Sequence, residues 1–280
     1  MLDTILILAI TGISCSLIGS LLLLKQSVMV ADAISHTILL GIVLAFFIVP
    51  DLDSPWLMVG AAILGVVTVI AIELLIKTGR IKNDAAIGLV FPAFFSLAVV
   101  LISRYLRNVH LDMDIVMLGE VIFAPLNRTE FFGMDLPKAL VQGSWLLVVN
   151  IIYIVFNYRS LKIRLFDETF ARSIGMKVFL LDLVLMSLVS FTSVISFQSI
   201  GVILVLALMV APAMTARCLT NHFASMLVIG SIIASINSIL GYFAAVYLNV
   251  SISGMVTATS FLTFLIVFIW TNIIKVKLTA

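Results

Sequence analysis

Charge is the scarcest commodity in this sequence: 11% of its 280 residues are Asp, Glu, Lys or Arg, against roughly 25% in an ordinary soluble domain. No polar stretch longer than the one at 104–137 separates its apolar runs, which excludes a soluble domain. The two cysteines, Cys15 and Cys218, lie in or at the edge of apolar segments without metal-ligand spacing, so neither a disulfide framework nor a thiolate site is expected. A phosphate loop of the form G-x-x-x-x-G-K-[ST] is missing, and any energy must come from an ion gradient or from another chain. The start, Met-Leu-Asp-Thr, has neither the basic region nor the small-residue cleavage site of a secretory signal, and the first apolar run is expected to be a retained span.

Apolar residues are what the chain has in abundance. They make up 63% of it, with a mean hydropathy of +1.29, the composition of an integral membrane protein. A helix needs about 20 apolar residues to cross the hydrocarbon, and such windows recur at Thr4 to Leu24, Ser27 to Val49, Pro55 to Lys77, Asp84 to Leu106, Pro137 to Asn157, Lys177 to Phe197, Ser199 to Cys218, His222 to Leu248 and Ser253 to Ile274. The expected fold is all-α, a single polytopic domain over residues 1–280 with nine spans. Eight is the alternative, because the pair from Lys177 to Cys218, joined by "SFQSIG", also reads as including a short or re-entrant helix. Gly12, Ser16 and Ser20 form a small-residue stripe of the kind that lets membrane helices approach closely. Pro92 and Pro212 sit inside spans, where each removes a backbone hydrogen bond.

Assigning loops to alternating sides puts 12 of the 16 basic residues on one face, among them Lys25, Lys77, Arg80, Lys82, the five between Arg159 and Lys177, and Arg217. That face is cytoplasmic by the positive-inside rule. The opposite face carries Asp3, Asp51, Asp53, Asp112, Asp114, Glu120, Glu130 and Asp135, a field that suits an approaching cation. No nucleic acid partner is expected.

Ionisable groups inside spans are costly and need a reason. Glu73, one turn before Lys77, is expected to pair with it in the favourable i, i+4 order. Asp182, in the first turns of its helix, is expected to be a structural carboxylate favoured by the helix dipole. Asp32 and His36 are different. Counted from Ser27 at 1.5 Å per residue, His36 falls near the midplane, where so short a side chain cannot snorkel. One turn apart, carboxylate and imidazole converge on one helix face, a pair suited to Mn²⁺ or Zn²⁺. Spacing alone leaves equally open a packing pair in which Asp32 orients a buried histidine. A second cluster precedes the fifth span: His110, Asp112 and Asp114 alternate, so an extended segment puts them on one face, and Glu120 follows.

The longest basic-side loop, "RSLKIRLFDETFARSIGMKVF", predicts a short amphipathic helix over 166–175. Asp167, Glu168 and Thr169 favour its start, Phe166, Phe170 and Ile174 recur at i, i+4 and i+8, and Gly175 suits its end. Such a helix docks in a partner's groove or lies at the membrane interface.

"DAISHTILLGIVLAF", "LGEVIF", "FDETFARSIGM" and "SFQSIGVILVLALMVAPAMTA", in this order and across nearly the whole chain, resemble the permease subunits of binding-protein-dependent ABC importers for manganese, zinc and iron. The resemblance implies a fold similar to the vitamin B12 importer class, a second copy of the chain, two ABC ATPase subunits and an extracytoplasmic metal-binding protein, in a bacterial plasma membrane. It implies that the permease is not itself an enzyme and holds no permanent cofactor, its metal being cargo. It casts Asp32 and His36 as residues that coordinate or gate the metal along the pathway, and Phe166, Asp167, Glu168, Phe170, Ala171 and Gly175 as the segment coupling to the ATPase, while Glu120, His110, Asp112 and Asp114 stand on their own pattern as further metal ligands or as a solvated outer loop. "HLDMD" followed by "LGE" resembles the manganese-type members. Two rivals remain: a proton-coupled secondary metal transporter using Asp32 and His36, and an intramembrane metalloprotease, which lacks the H-E-x-x-H it would need.

Overall fold

The computed structural model describes residues 1–51, 54–105, 121–131 and 133–279. Among them nine helices are long and apolar enough to cross a membrane: α1 Leu2–Leu24, α2 Met29–Ile48, α3 Pro55–Lys77, α4 Asn83–Tyr105, α5 Lys138–Phe156, α8 Val178–Ile200, α9 Val202–Leu219, α10 Phe223–Leu248 and α11 Ile252–Thr279. Two short helices, α6 Tyr158–Phe166 and α7 Glu168–Ser173, fill the longest basic-side loop. Apolar windows of bilayer length dictate this architecture, since in hydrocarbon every backbone group must bond within its own helix.

The pair left open by the sequence is two helices. "SFQSI" continues α8, and Gly201 alone joins it to α9 at φ +84°, ψ 156°, a region essentially restricted to glycine. The sequence reading missed a β-hairpin on the acidic side, β1 Arg128–Phe131 against β2 Met134–Pro137, antiparallel with Arg128 opposite Pro137. Arg128 donates to Asp3 at 2.8 Å and to Asp135 at 3.2 Å, fastening the hairpin to the outer end of α1.

The helices form two groups. α1 is the buried axis of one, packed against α5, α8, α9 and α10, with α11 outside on α9 and α10. The stripe of Gly12 and Ser16 packs on Ala234, Ser238 and Gly230 of α10. The other group is α2, α3 and α4, which meets the rest chiefly through α8. Within it α2 and α3 touch backbone to backbone: a Cβ at Gly41 would lie 2.4 Å from the Gly60 carbonyl oxygen, and Thr68 donates to Thr37 at 2.9 Å beside that contact. An extra methyl has nowhere to go, so α2 and α3 form one unit.

Candidate metal site and basic-side ion cluster

Asp32 and His36 follow a tight turn at the start of α2. The chain leaves α1 through it with Gln26 at φ +58° and the Ser27 amide donating back to Leu22. The turn takes up Ser27 and Val28, so α2 starts at Met29. At 1.5 Å per residue Asp32 stands about 4.5 Å and His36 about 10.5 Å from that start.

The two side chains share a face, each about 40% exposed, with Asp32 Oδ1 3.8 Å from His36 Nε2. That is too long for a hydrogen bond. Both polar atoms face the same side of α2, one turn apart. The His36 ring is walled by two rings of α4, Phe91 at 5.4 Å and Phe95 at 5.9 Å edge-on. These apolar walls orient the imidazole and lower the local dielectric, which strengthens its interaction with a cation. Sequence reasoning missed them, although their spacing about Pro92 puts both on one face of α4. Among the described residues no group of three His, Cys, Asp or Glu could hold a metal ion. His110, Asp112, Asp114 and Glu120 lie outside the described residues.

The remaining buried charges converge at the basic ends of the helices, in pairs the sequence did not foresee. Glu73 accepts from Lys25 at 3.0 Å rather than from Lys77, whose ammonium caps the Phe179 ring at 3.9 Å. Asp182 is neutralised by pairing and not by a helix end: Arg164 grips both its oxygens at 3.2 and 2.7 Å, and Lys25 stands 3.3 Å away. Arg164 also reaches Glu168 at 2.8 Å, and Glu168 accepts from Arg172 at 2.6 Å. Lys25, Arg164 and Asp182 are nearly buried, whereas Glu168 and Arg172 open to solvent. The chain of contacts joins α1, α3, α6, α7 and α8.

The predicted helix over 166–175 divides in two. Phe166 ends α6; Asp167, in extended backbone, caps α7 by accepting from the Phe170 amide at 2.9 Å. Gly175, at φ +75°, closes α7 with Gly175 N–H to Arg172 and Met176 N–H to Ala171, the paired bonds of a Schellman motif. Ala171 is fully buried beneath, while Phe166, Phe170 and Ile174 are each more than half exposed. A groove lined by Tyr158, Arg159, Lys162, Phe166 and Phe170 runs between α6 and α7. A helix this short owes its shape to its caps and to the ion cluster behind it.

Residues 1–271 match the ABC 3 transport family. The chain is 42% identical over 250 residues to the manganese transport system membrane protein MntD of Bacillus subtilis, covering 89% of this chain and 84% of that protein. It is 43% identical over 269 residues to the zinc transport system membrane protein TroD of Treponema pallidum, covering 96% and 73%. Its fold is similar to the solved structure of PsaBC from Streptococcus pneumoniae in complex with Fab, with a TM-score of 0.76, 26% identity, and coverage of 95% of this chain and 90% of that one.

Proposed function

The chain belongs to the ABC 3 transport family and is the permease subunit of a divalent metal importer in a bacterial membrane; from that premise we propose a finer reading, in which Mn²⁺ is the cargo, Asp32 and His36 are its transient ligands, and α7 docks on an ATPase subunit. The observation that carries the reading is the half-open Asp32–His36 pair, a carboxylate and an imidazole one turn apart on one face of α2.

A pathway must hold its cargo weakly enough to release it. Two ligands per chain meet that demand, and a second copy facing the first across the pathway raises the set to four without making a closed cage. A carboxylate beside an imidazole accepts manganese, whose preferences run harder than those of zinc. An extracytoplasmic metal-binding protein delivers the ion to the acidic face, where Asp3, Glu130 and Asp135 surround the hairpin. On the other face the exposed Phe166, Phe170 and Ile174 supply the apolar stripe that an ATPase cleft receives. Asp167 and Gly175 fix the ends of α7, Ala171 anchors its back, and Glu168 ties it to Arg164. Hydrolysis resides in the ATPase chain. Glu120, His110, Asp112 and Asp114 serve on the outer approach.

The test is reconstitution with the ATPase and the binding protein, measuring Mn²⁺ and Zn²⁺ uptake alongside ATP hydrolysis for wild type, Asp32→Asn and His36→Ala. Loss of uptake in both variants, with assembly and basal hydrolysis kept, supports the assignment. Uptake that persists in both removes the pair from the pathway. Uptake that ignores ATP and follows the proton gradient overturns the importer reading in favour of a secondary transporter.

A further inference from the structure

We propose that Lys25 is a positioning residue that carries movement of α7 to the metal pair, acting as a latch between the two helix groups; this rests on the reading of Asp32 and His36 as metal ligands and of α7 as the ATPase contact. The argument starts from where Lys25 sits. It is the last residue of α1's turn, four positions before α2, and the turn between them is tight: Ser27 Oγ donates to the Lys25 carbonyl and the Ala31 amide to Val28. A shift at Lys25 therefore reaches the first turn of α2, which holds Asp32, within seven residues.

Its ammonium is shared across the seam of the bundle. One contact, to Glu73, belongs to α3 and so to the unit locked to α2 by Gly41, Gly60, Thr37 and Thr68. The other, to Asp182, belongs to α8, where Arg164 of α6 already holds the same carboxylate and passes on to Glu168 of α7. Midway along the membrane the same two units meet at a second point, where Ser190 of α8 donates to the Ala62 carbonyl of α3 at 3.0 Å. A neutral contact in the middle and a charged one at the end is the arrangement of a pivot with a latch. Pull on α7 acts through Glu168, Arg164 and Asp182 on the ammonium that also holds α3. With its head only one-tenth exposed, Lys25 cannot exchange either carboxylate for bulk water, so its pairs break or hold as a set.

The experiment uses the full permease with its ATPase and binding protein in liposomes, reading Mn²⁺ uptake per ATP hydrolysed and the melting temperature of the complex. Lys25→Met is expected to keep wild-type hydrolysis and lower uptake per ATP by about tenfold or more, inside the roughly 5–150-fold range of a coupling between sites. Lys25→Arg keeps both ion pairs and restores the ratio. Glu73→Gln, which cuts only the α3 side, lowers the ratio in the same direction, and it decides the matter if Lys25→Met fails to assemble. The proposal is overturned if the ratio stays at the wild-type value in the variants that assemble, or if uptake and hydrolysis fall together in a complex of unchanged melting temperature. A wild-type complex that moves Mn²⁺ without ATP hydrolysis instead overturns the functional reading on which the latch rests.

Discussion

Two of the places where this membrane protein holds acids beside bases are built to opposite ends. In the cluster at the basic ends of the helices Arg164 and Asp182 meet at 2.7 Å with both heads nearly buried, and Lys25 closes the set. On α2 the acid and the imidazole stand 3.8 Å apart and two-fifths exposed, with aromatic rings instead of counter-charges behind them. Burying an ion costs several kcal/mol unless a partner sits close. The cluster meets that cost internally, each buried carboxylate lying against a lysine or an arginine. The pair on α2 is held loosely at 3.8 Å and keeps two-fifths of each side chain open to water, which offsets the cost of its charge without a close partner.

The largest expected effect comes from breaking the closed set. Arg164→Met strands Asp182 beside a single lysine and is expected to cost about 3–5 kcal/mol of stability, read as thermal unfolding of the purified permease in detergent. Adding Asp182→Leu is expected to recover most of the loss, because a pair replaced by matched apolar groups leaves no orphan charge. If the double variant is no better than the single, the cluster is not the self-contained set described above. The open pair should behave the other way. Asp32→Asn is expected to leave the melting curve in place while manganese uptake falls by roughly two orders of magnitude, since even supporting residues of metal sites cost about 10–100-fold. A large stability loss in Asp32→Asn would erase the distinction between the two places.

A smaller effect is expected where the α2 unit is assembled. Gly41→Ala drives a methyl into the Gly60 carbonyl, and overpacking of this kind costs about 1–3 kcal/mol. If α2 and α3 move as one body, uptake should fall with stability, and Gly60→Ala, from the opposite side of the contact, should match it. A variant that loses stability yet transports at the wild-type rate would show that the α2–α3 contact serves packing alone.

How much of this was legible in the sequence follows from the range of each interaction. Nine spans show as windows of hydropathy because a helix in lipid satisfies its own backbone, and Asp32 and His36 show as a pair because four residues make one turn. Capping is equally local, so Asp167 and Gly175 marked the ends of α7. The break after Phe166 did not show, because an i, i+4, i+8 apolar stripe reads the same whether or not the helix is continuous. Lys25 with Glu73 and Arg164 with Asp182 stayed hidden because tertiary packing chooses those partners, and a nearer one, Lys77, stood at the favourable local spacing. The left-handed Gln26 turn stayed hidden for a related reason: hydropathy assigns Ser27 and Val28 to the span that the turn delays. Phe91 and Phe95 become walls of the site only once α4 is known to lie on α2.

The smallest expected effect tests whether burial, and not ion pairing as such, separates the two ends of the cluster. Arg172 and Glu168 make a bond as short as any in the cluster, 2.6 Å, but their side chains are 64% and 42% exposed. Exposed pairs contribute about 0–1 kcal/mol, because water competes for both charges and two long side chains must be held still. Arg172→Ala is therefore expected to shift the unfolding of the isolated permease by no more than that, and to lose even this small shift in high salt. The buried Arg164 variant should keep its full deficit in the same buffer. Equal losses for Arg172→Ala and Arg164→Met would mean that the rim of α7 is as tightly built as the centre, and that burial does not separate the two.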